Sequence, residues 1–180
     1  FTIAELLKQK GYTTGAFGKW GLGGPGTEGD PIHQGFDVFF GYNCQSLAHN
    51  YYPGHLWSNR SKIILAENEG SEKGIYAPNL IHEKALEFLE ENKEGPFFLY
   101  YLSVIPHAEL FAPDEYMDKY RGKFLPEKSY EGADEGHPWF RKGGYGSQPE
   151  AHAAFAAMVN LLDDQVGELL DMIHDLGIAE

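Results

Sequence analysis

The chain has 180 residues, enough for one domain with a substantial core. Hydrophobic residues make up 42% and charged residues 23%, an ordinary globular balance, and the formal net charge of −13 leaves no Lys/Arg stripe to neutralise nucleic-acid phosphates. The single cysteine, Cys44, excludes an internal disulfide and a cysteine-based zinc site, and the longest apolar run, Phe97–Leu102, is far too short to span a membrane. A small anion is not excluded, because one or two placed cations can oppose the global field. Glycine is in excess, with 22 residues clustered in loops, and aromatics reach 14%; together they predict elaborate ordered loops over a packed scaffold.

The first element is a short helix. Thr2 and Glu5 form a T-x-x-E capping box ahead of Leu6 and Leu7, and Gly11 closes it. The chain opens on Phe1 in that first turn, which reads as the cut end of a longer chain. A brief strand follows over residues 13–17, then an irregular glycine-rich stretch to Gly35 and an extended aromatic segment to Tyr42. Between Asn43 and Gly74 the one regular feature is a hairpin pairing residues 55–58 with 62–65.

Pro78 suits the first turn of a helix reaching about Lys93, with Ile81, Ala85, Phe88 and Leu89 as its apolar stripe. The continuous apolar run 97–104 reads as a strand buried on both faces. After a polar, glycine-rich stretch from Pro106 to Gly146, Ser147 and Glu150 form a second capping box. The helix they open carries Phe155, Met158, Val159, Leu162, Val166, Leu169, Ile173 and Leu176 on one side and is capped by Gly177. Helices alternating with strands predict an α/β domain with a largely parallel central sheet.

In open α/β sheets, ligands bind outside the carboxyl ends of the strands. Lys19 follows the first strand and His107 follows the run 97–104, so a cation and an imidazole leave the sheet on one edge. That pairing fits an anion site, with Lys19 as a point charge and His107 as hydrogen-bond donor or proton carrier. Taken singly, each residue also fits a solvated loop.

The stretch Gly11-Tyr12-Thr13-Thr14-Gly15-Ala16-Phe17-Gly18-Lys19-Trp20 resembles the second signature of the type I, formylglycine-dependent sulfatases of the alkaline-phosphatase superfamily, G-Y-x-T-x-x-x-G-K-W-H-x-G. Further segments resemble the family in its own order: Gln34-Gly35-Phe36-Asp37, the strand 96–103 leading to Pro106-His107, and Asn160-Leu161-Leu162-Asp163-Asp164-Gln165-Val166-Gly167. The resemblance spans the chain and implies an alkaline-phosphatase-like three-layer fold. On it, residues 1–180 are part of a single catalytic domain, cut before Phe1 and after Glu180, with the sheet incomplete at both ends.

The resemblance also implies a sulfuric ester hydrolase acting on a small sulfated substrate. Lys19 would bind a sulfate oxygen, and His107 would touch the sulfate and protonate the leaving oxygen. The family uses calcium and a formylglycine made from Cys or Ser in C/S-x-P-S-R. Neither that motif nor the family's metal-binding Asp-Asp and Asp-Asn pairs are matched here, so both cofactors would come from residues outside the chain, and the isolated chain is expected to be inactive. Asp163-Asp164 is a helical surface pair by its setting, not a metal pair.

Gly21 stands where the family most often has histidine. His49 and His55, in His49-Asn50-Tyr51-Tyr52-Pro53-Gly54-His55, are candidates to reach the substrate pocket instead, with loop-backbone bonding as their plainer role. Trp20, Tyr51, Tyr52, Trp57 and Trp139 are candidate sugar-stacking or loop-packing aromatics, and they tilt the expected substrate toward a sulfated carbohydrate. A periplasmic, secreted or lysosomal-type location is implied by the family alone. Two further readings stay open: a phosphodiesterase or phosphonate monoester hydrolase of the same superfamily, and a non-catalytic sulfated-glycan-binding homologue.

Overall fold

The computed structural model describes residues 1–179. Helix α1 (Ile3–Lys8) starts as its sequence dictates. The Thr2 hydroxyl accepts from the Glu5 N–H, and the Glu5 carboxylate accepts from the Thr2 N–H at 2.6 Å.

Strand β1 (Thr13–Lys19) is the hub of a five-stranded sheet. It pairs in parallel with β2 (Val38–Tyr42) on one side and β5 (Phe97–Leu102) on the other. Strands β3 (His55–Ser58) and β4 (Ser61–Ile64) extend the sheet beyond β2 as an antiparallel hairpin, one residue tighter than predicted, giving the order β4-β3-β2-β1-β5. The sheet is therefore parallel at its centre and antiparallel along one flank.

Period-two alternation sorts the strands between two cores. Phe17, Phe40 and Tyr42 face Ile81, Ala85, Phe88 and Leu89 of α2 (Ala77–Asn92), together with Met158, Leu161 and Leu169 of α4 (Ala151–Asp175). Ala16, Trp20, Phe36 and Phe39 face Ala4 of α1. This makes three layers, with the larger core under α2 and α4. A one-turn helix, α3 (Asp114–Met117), packs against α4 through Met117. Among the described residues, no helix is long and apolar enough to cross a membrane.

Three predicted details change. Strand β5 is not buried on both faces. It lies at the sheet edge among the described residues, with half-buried side chains and Tyr100 44% exposed; on the α1 side Phe98 and Tyr100 stack with Phe36, and Phe98 and Leu102 pack on the smaller core.

The second capping box does not form. The Ser147 hydroxyl instead donates to Asp134 at 2.5 Å and accepts from the Gly132 N–H, so a facing loop has taken the cap. The buried face of α4 is also rotated from the predicted one. Ala153, Ala154, Ala157, Met158, Leu161, Gln165 and Leu169 are inside, while Phe155, Val159 and Val166 are more than 40% exposed. Small alanines let α4 lie close to its neighbours, and Gln165 turns inward because its amide is bonded by Tyr101 and Asn79.

Candidate active site

Lys19 is the last residue of β1, not the first of a loop, and is half-buried in register with Tyr42. It makes no ion pair among the described residues. The preceding residue, Gly18, pairs with Leu102 at the end of β5 at φ +130°; a Cβ there would lie 1.9 Å from the Leu102 carbonyl oxygen. Only glycine lets the two strands stay paired up to the lysine.

Two residues after β5 the backbone turns, with the His107 N–H donating to the Val104 carbonyl. His107 is exposed at the carboxyl edge that Lys19 reaches. Its carbonyl accepts from the Tyr51 hydroxyl, and its Nδ1 lies against the Ala108 carbonyl, which leaves Nε2 as the outward nitrogen. Burial, aided by the charge of Glu109 and by Tyr145, pushes the Tyr51 phenol far above its ordinary range, so it serves as a fixed donor.

The structure brings His49 to His107. Their rings stack 5.4 Å apart at 9°, and Tyr145 packs against both, at 4.9 and 6.1 Å. His49 Nδ1 also bonds the Gly143 carbonyl at 3.1 Å, the loop-backbone role set out for it as the plainer one. His55 is not in this cluster. It sits on β3, edge-on to Trp57, and lines a separate cavity.

The sequence reading missed Tyr145 and Glu109. Glu109 is 6% exposed and accepts from the Gly146 N–H at 2.7 Å; burial pushes its carboxyl up, against those backbone bonds and the charges of Lys73 and Arg141. It ties the His107 loop to the Tyr145 loop. Both residues lie in aperiodic glycine-rich sequence, and no local pattern marks them.

The sulfatase family model matches residues 1–180. The chain belongs to the sulfatase family. It is 35% identical over 133 residues to an arylsulfatase of Hemicentrotus pulcherrimus, covering 64% of this chain and 23% of that protein. It is 32% identical over 127 residues to an N-acetylglucosamine-6-O-sulfatase of Bacteroides thetaiotaomicron, covering 70% and 20%. Its fold matches the crystal structure of Ps i-CgsB in complex with k-i-k-neocarrahexaose at a TM-score of 0.70 and 22% identity, over 98% of this chain and 37% of that one. The chain thus spans about a quarter of the first of these sulfatases and a fifth of the second.

At Gly21, where the family most often has histidine, the backbone is left-handed. Gly21 adopts φ +69°, and a Cβ there would lie 2.3 Å from the Gln45 side-chain nitrogen. Gln45 is exposed and its side chain can swing aside, so the left-handed φ, not the space, favours glycine at position 21. The family's cofactors do not fit the residues described. Among them, no group of three or more His, Cys, Asp or Glu could hold a metal ion, and Cys44 stands exposed in Asn43-Cys44-Gln45-Ser46, outside any Cys-x-Pro-Ser-Arg setting. Asp164 instead accepts from Tyr116 at 2.8 Å, a packing role.

Proposed function

We propose that this chain carries the anion-gripping part of a sulfuric ester hydrolase whose substrate is a sulfated carbohydrate. The supporting observation is the parallel stack of His49 on His107 at the carboxyl edge where β1 ends in Lys19. Lys19 pairs with a sulfate oxygen and offsets the charge that builds as the ester bond breaks. His107, as the imidazolium, gives its Nε2 proton to the leaving sugar oxygen and keeps the Nδ1 proton on the Ala108 carbonyl. His49 and Tyr145 hold the plane of the His107 ring, and the Tyr51 hydroxyl holds its backbone. The cofactors the family implies, calcium and formylglycine, belong to residues other than these. The sugar class is supported by the name of one relative, an N-acetylglucosamine-6-O-sulfatase, and by the saccharide bound in a structure of the same fold.

The test is kinetic and uses the full-length protein with sulfate and phosphate esters in parallel. Lys19→Ala should lower kcat/KM on a sulfated sugar by at least about a hundredfold, the scale of a lost electrostatic stabiliser. Near-native turnover by that variant overturns the assignment. Faster hydrolysis of phosphodiesters or phosphonate esters by the wild type would move the reading to the sister activity. Saccharide binding without any turnover would move it to a non-catalytic binder.

A further inference from the structure

A second cavity, of about 370 Å³, opens beside the His49–His107 pair and has no part in the chemistry above. Its lining includes Trp57 and His55 of β3, Asn43 and Ser46 from the loop after β2, and Arg141 and Lys142. The volume is within the usual range for small-ligand sites. We propose that this cavity is a saccharide subsite that takes an anionic sugar residue neighbouring the sulfated one; the proposal rests on the hydrolase reading.

Four observations carry it. First, the cavity is joined to the candidate active site by one short segment. Gly143 lies next to Ser46 of the lining, where a Cβ on it would come 3.3 Å from the Ser46 Cβ, while its carbonyl bonds His49, and Tyr145, two residues on, packs against both histidines. A ligand spanning both places need cross only that segment.

Second, the lining has the residue types that recognise a sugar. Trp57 is half-buried and presents an aromatic surface on which the C–H face of a pyranose can stack. Asn43 of the lining is 5% exposed, and its amide nitrogen and oxygen are both buried without a hydrogen-bond partner, so this side chain has a donor and an acceptor still to be matched. Burial and the nearby Lys62 hold the His55 imidazole below its ordinary value, so at neutral pH the ring offers one donor and one acceptor to a hydroxyl pair.

Third, two cations, Arg141 and Lys142, line the cavity of a chain whose formal charge is −13, while Glu72, Glu109 and Glu135 act on Arg141 from outside the lining. Arg141 is fixed in place by donating to the Asn68 and Glu72 carbonyls and lies over the Phe140 ring, and Lys142 beside it is exposed and makes no ion pair among the described residues. Lys62 stands 5.6 Å from the Trp57 ring. That charge complements a carboxylate or sulfate on the neighbouring sugar.

Fourth, Arg141 holds φ +51°, a left-handed conformation uncommon outside glycine, so the turn presenting these two cations is shaped by its surroundings and not by local preference.

The experiment uses full-length protein and three probes, the tetrasaccharides of chondroitin 6-sulfate, heparin and κ-carrageenan, with 4-nitrophenyl sulfate as a substrate too small to reach the cavity. Affinity is read by calorimetry and turnover by kinetics. Lys142→Glu, an exposed change that cannot unfold the core, should weaken binding of the best-bound tetrasaccharide by about tenfold or more, equivalent to one charged contact. It should leave KM for 4-nitrophenyl sulfate within about twofold. Trp57→Ala should act likewise, and Trp57→Phe should recover most of the loss. Carboxyl-reduced chondroitin tetrasaccharide separates the two anion sources: if it loses the Lys142 dependence, the recognised group is the carboxylate, and if it keeps it, the sulfate.

The subsite is overturned if the wild type binds none of the three probes, if Lys142→Glu leaves all three affinities unchanged, or if both substrate classes suffer equally. If no ester is hydrolysed yet tetrasaccharide binding still depends on Lys142, the hydrolase reading fails and the subsite stands.

Discussion

The two ends of β1 each have a lysine beside them, and the protein uses them in opposite ways. At the amino end, Lys8 reaches Asp37 at 2.5 Å, and Asp37 also accepts from the Thr14 N–H and hydroxyl, both at 3.0 Å. Every strong group there is matched. At the carboxyl end Lys19 makes no ion pair among the described residues, and His107 is exposed and stacked on the half-buried His49. A lysine satisfied by its own chain joins α1 to the sheet. One left unmatched at a sheet edge is available to an anion from outside.

That contrast can be broken at several points. The largest effect is expected from Gly18→Ala, which would push a Cβ to 1.9 Å from the Leu102 carbonyl oxygen. It should cost more than about 3 kcal/mol by denaturant unfolding, because backbone on both sides prevents relief. A near-native midpoint would show that the β1–β5 edge is looser than its register implies.

Lys19→Ala, with its hundredfold loss of activity, should leave thermal stability almost unchanged, since no internal partner is lost. A marked fall in the unfolding midpoint would place this lysine with Lys8 as a structural residue. His107→Gln should cost about a hundredfold in kcat/KM on a sulfated sugar, whose alkoxide needs a proton, and far less on 4-nitrophenyl sulfate, whose phenolate leaves unaided. Equal losses on both substrates would remove the proton-donor role.

The smallest effects belong to the amino end. Asp37→Asn should cost about 1–2 kcal/mol of stability while turnover per folded molecule holds, and Lys8→Ala less than about 1 kcal/mol because that ion pair is half-exposed. Burial alone would raise the Asp37 carboxyl, but the Lys8 bond, the two Thr14 bonds and the Lys8 charge together hold it below the usual aspartate value. The stabilisation is therefore complete above the unfolded aspartate value and lost as pH falls through the lower folded one. The stability difference between wild type and Asp37→Asn should shrink below about pH 4, and a difference independent of pH would show that the charge contributes nothing.

Much of this could be read along the chain, and the exceptions have physical causes. The Thr2–Glu5 box, the Pro78 helix start and the strand run after Pro96 are local: capping, fixed φ and apolar continuity act within a few residues. Ser147 shows the limit. Its spacing to Glu150 is that of a cap, yet the Asp134 loop, 13 residues away, takes the hydroxyl. The α4 stripe errs for a related reason, since large apolar residues marked the expected face whereas close helix packing selected the alanines.

The site divides along the same line. That Lys19 and His107 fall at the same edge was legible because Lys19 ends β1 and His107 lies in the loop that leaves β5, and parallel strands bring their carboxyl ends together whatever the loops do. The His49–His107 stack joins residues 58 positions apart, and the Tyr145 contact spans 96 from His49, so no periodicity or spacing could state them. Read alone, the chain specifies its α/β alternation, its family and which strand ends share an edge. Only the tertiary structure decides which histidine stacks on His107, that position 21 takes a left-handed φ, and that His55 and Trp57 line a cavity of their own. Such contacts depend on how long irregular loops pack, and packing is a property of the whole chain.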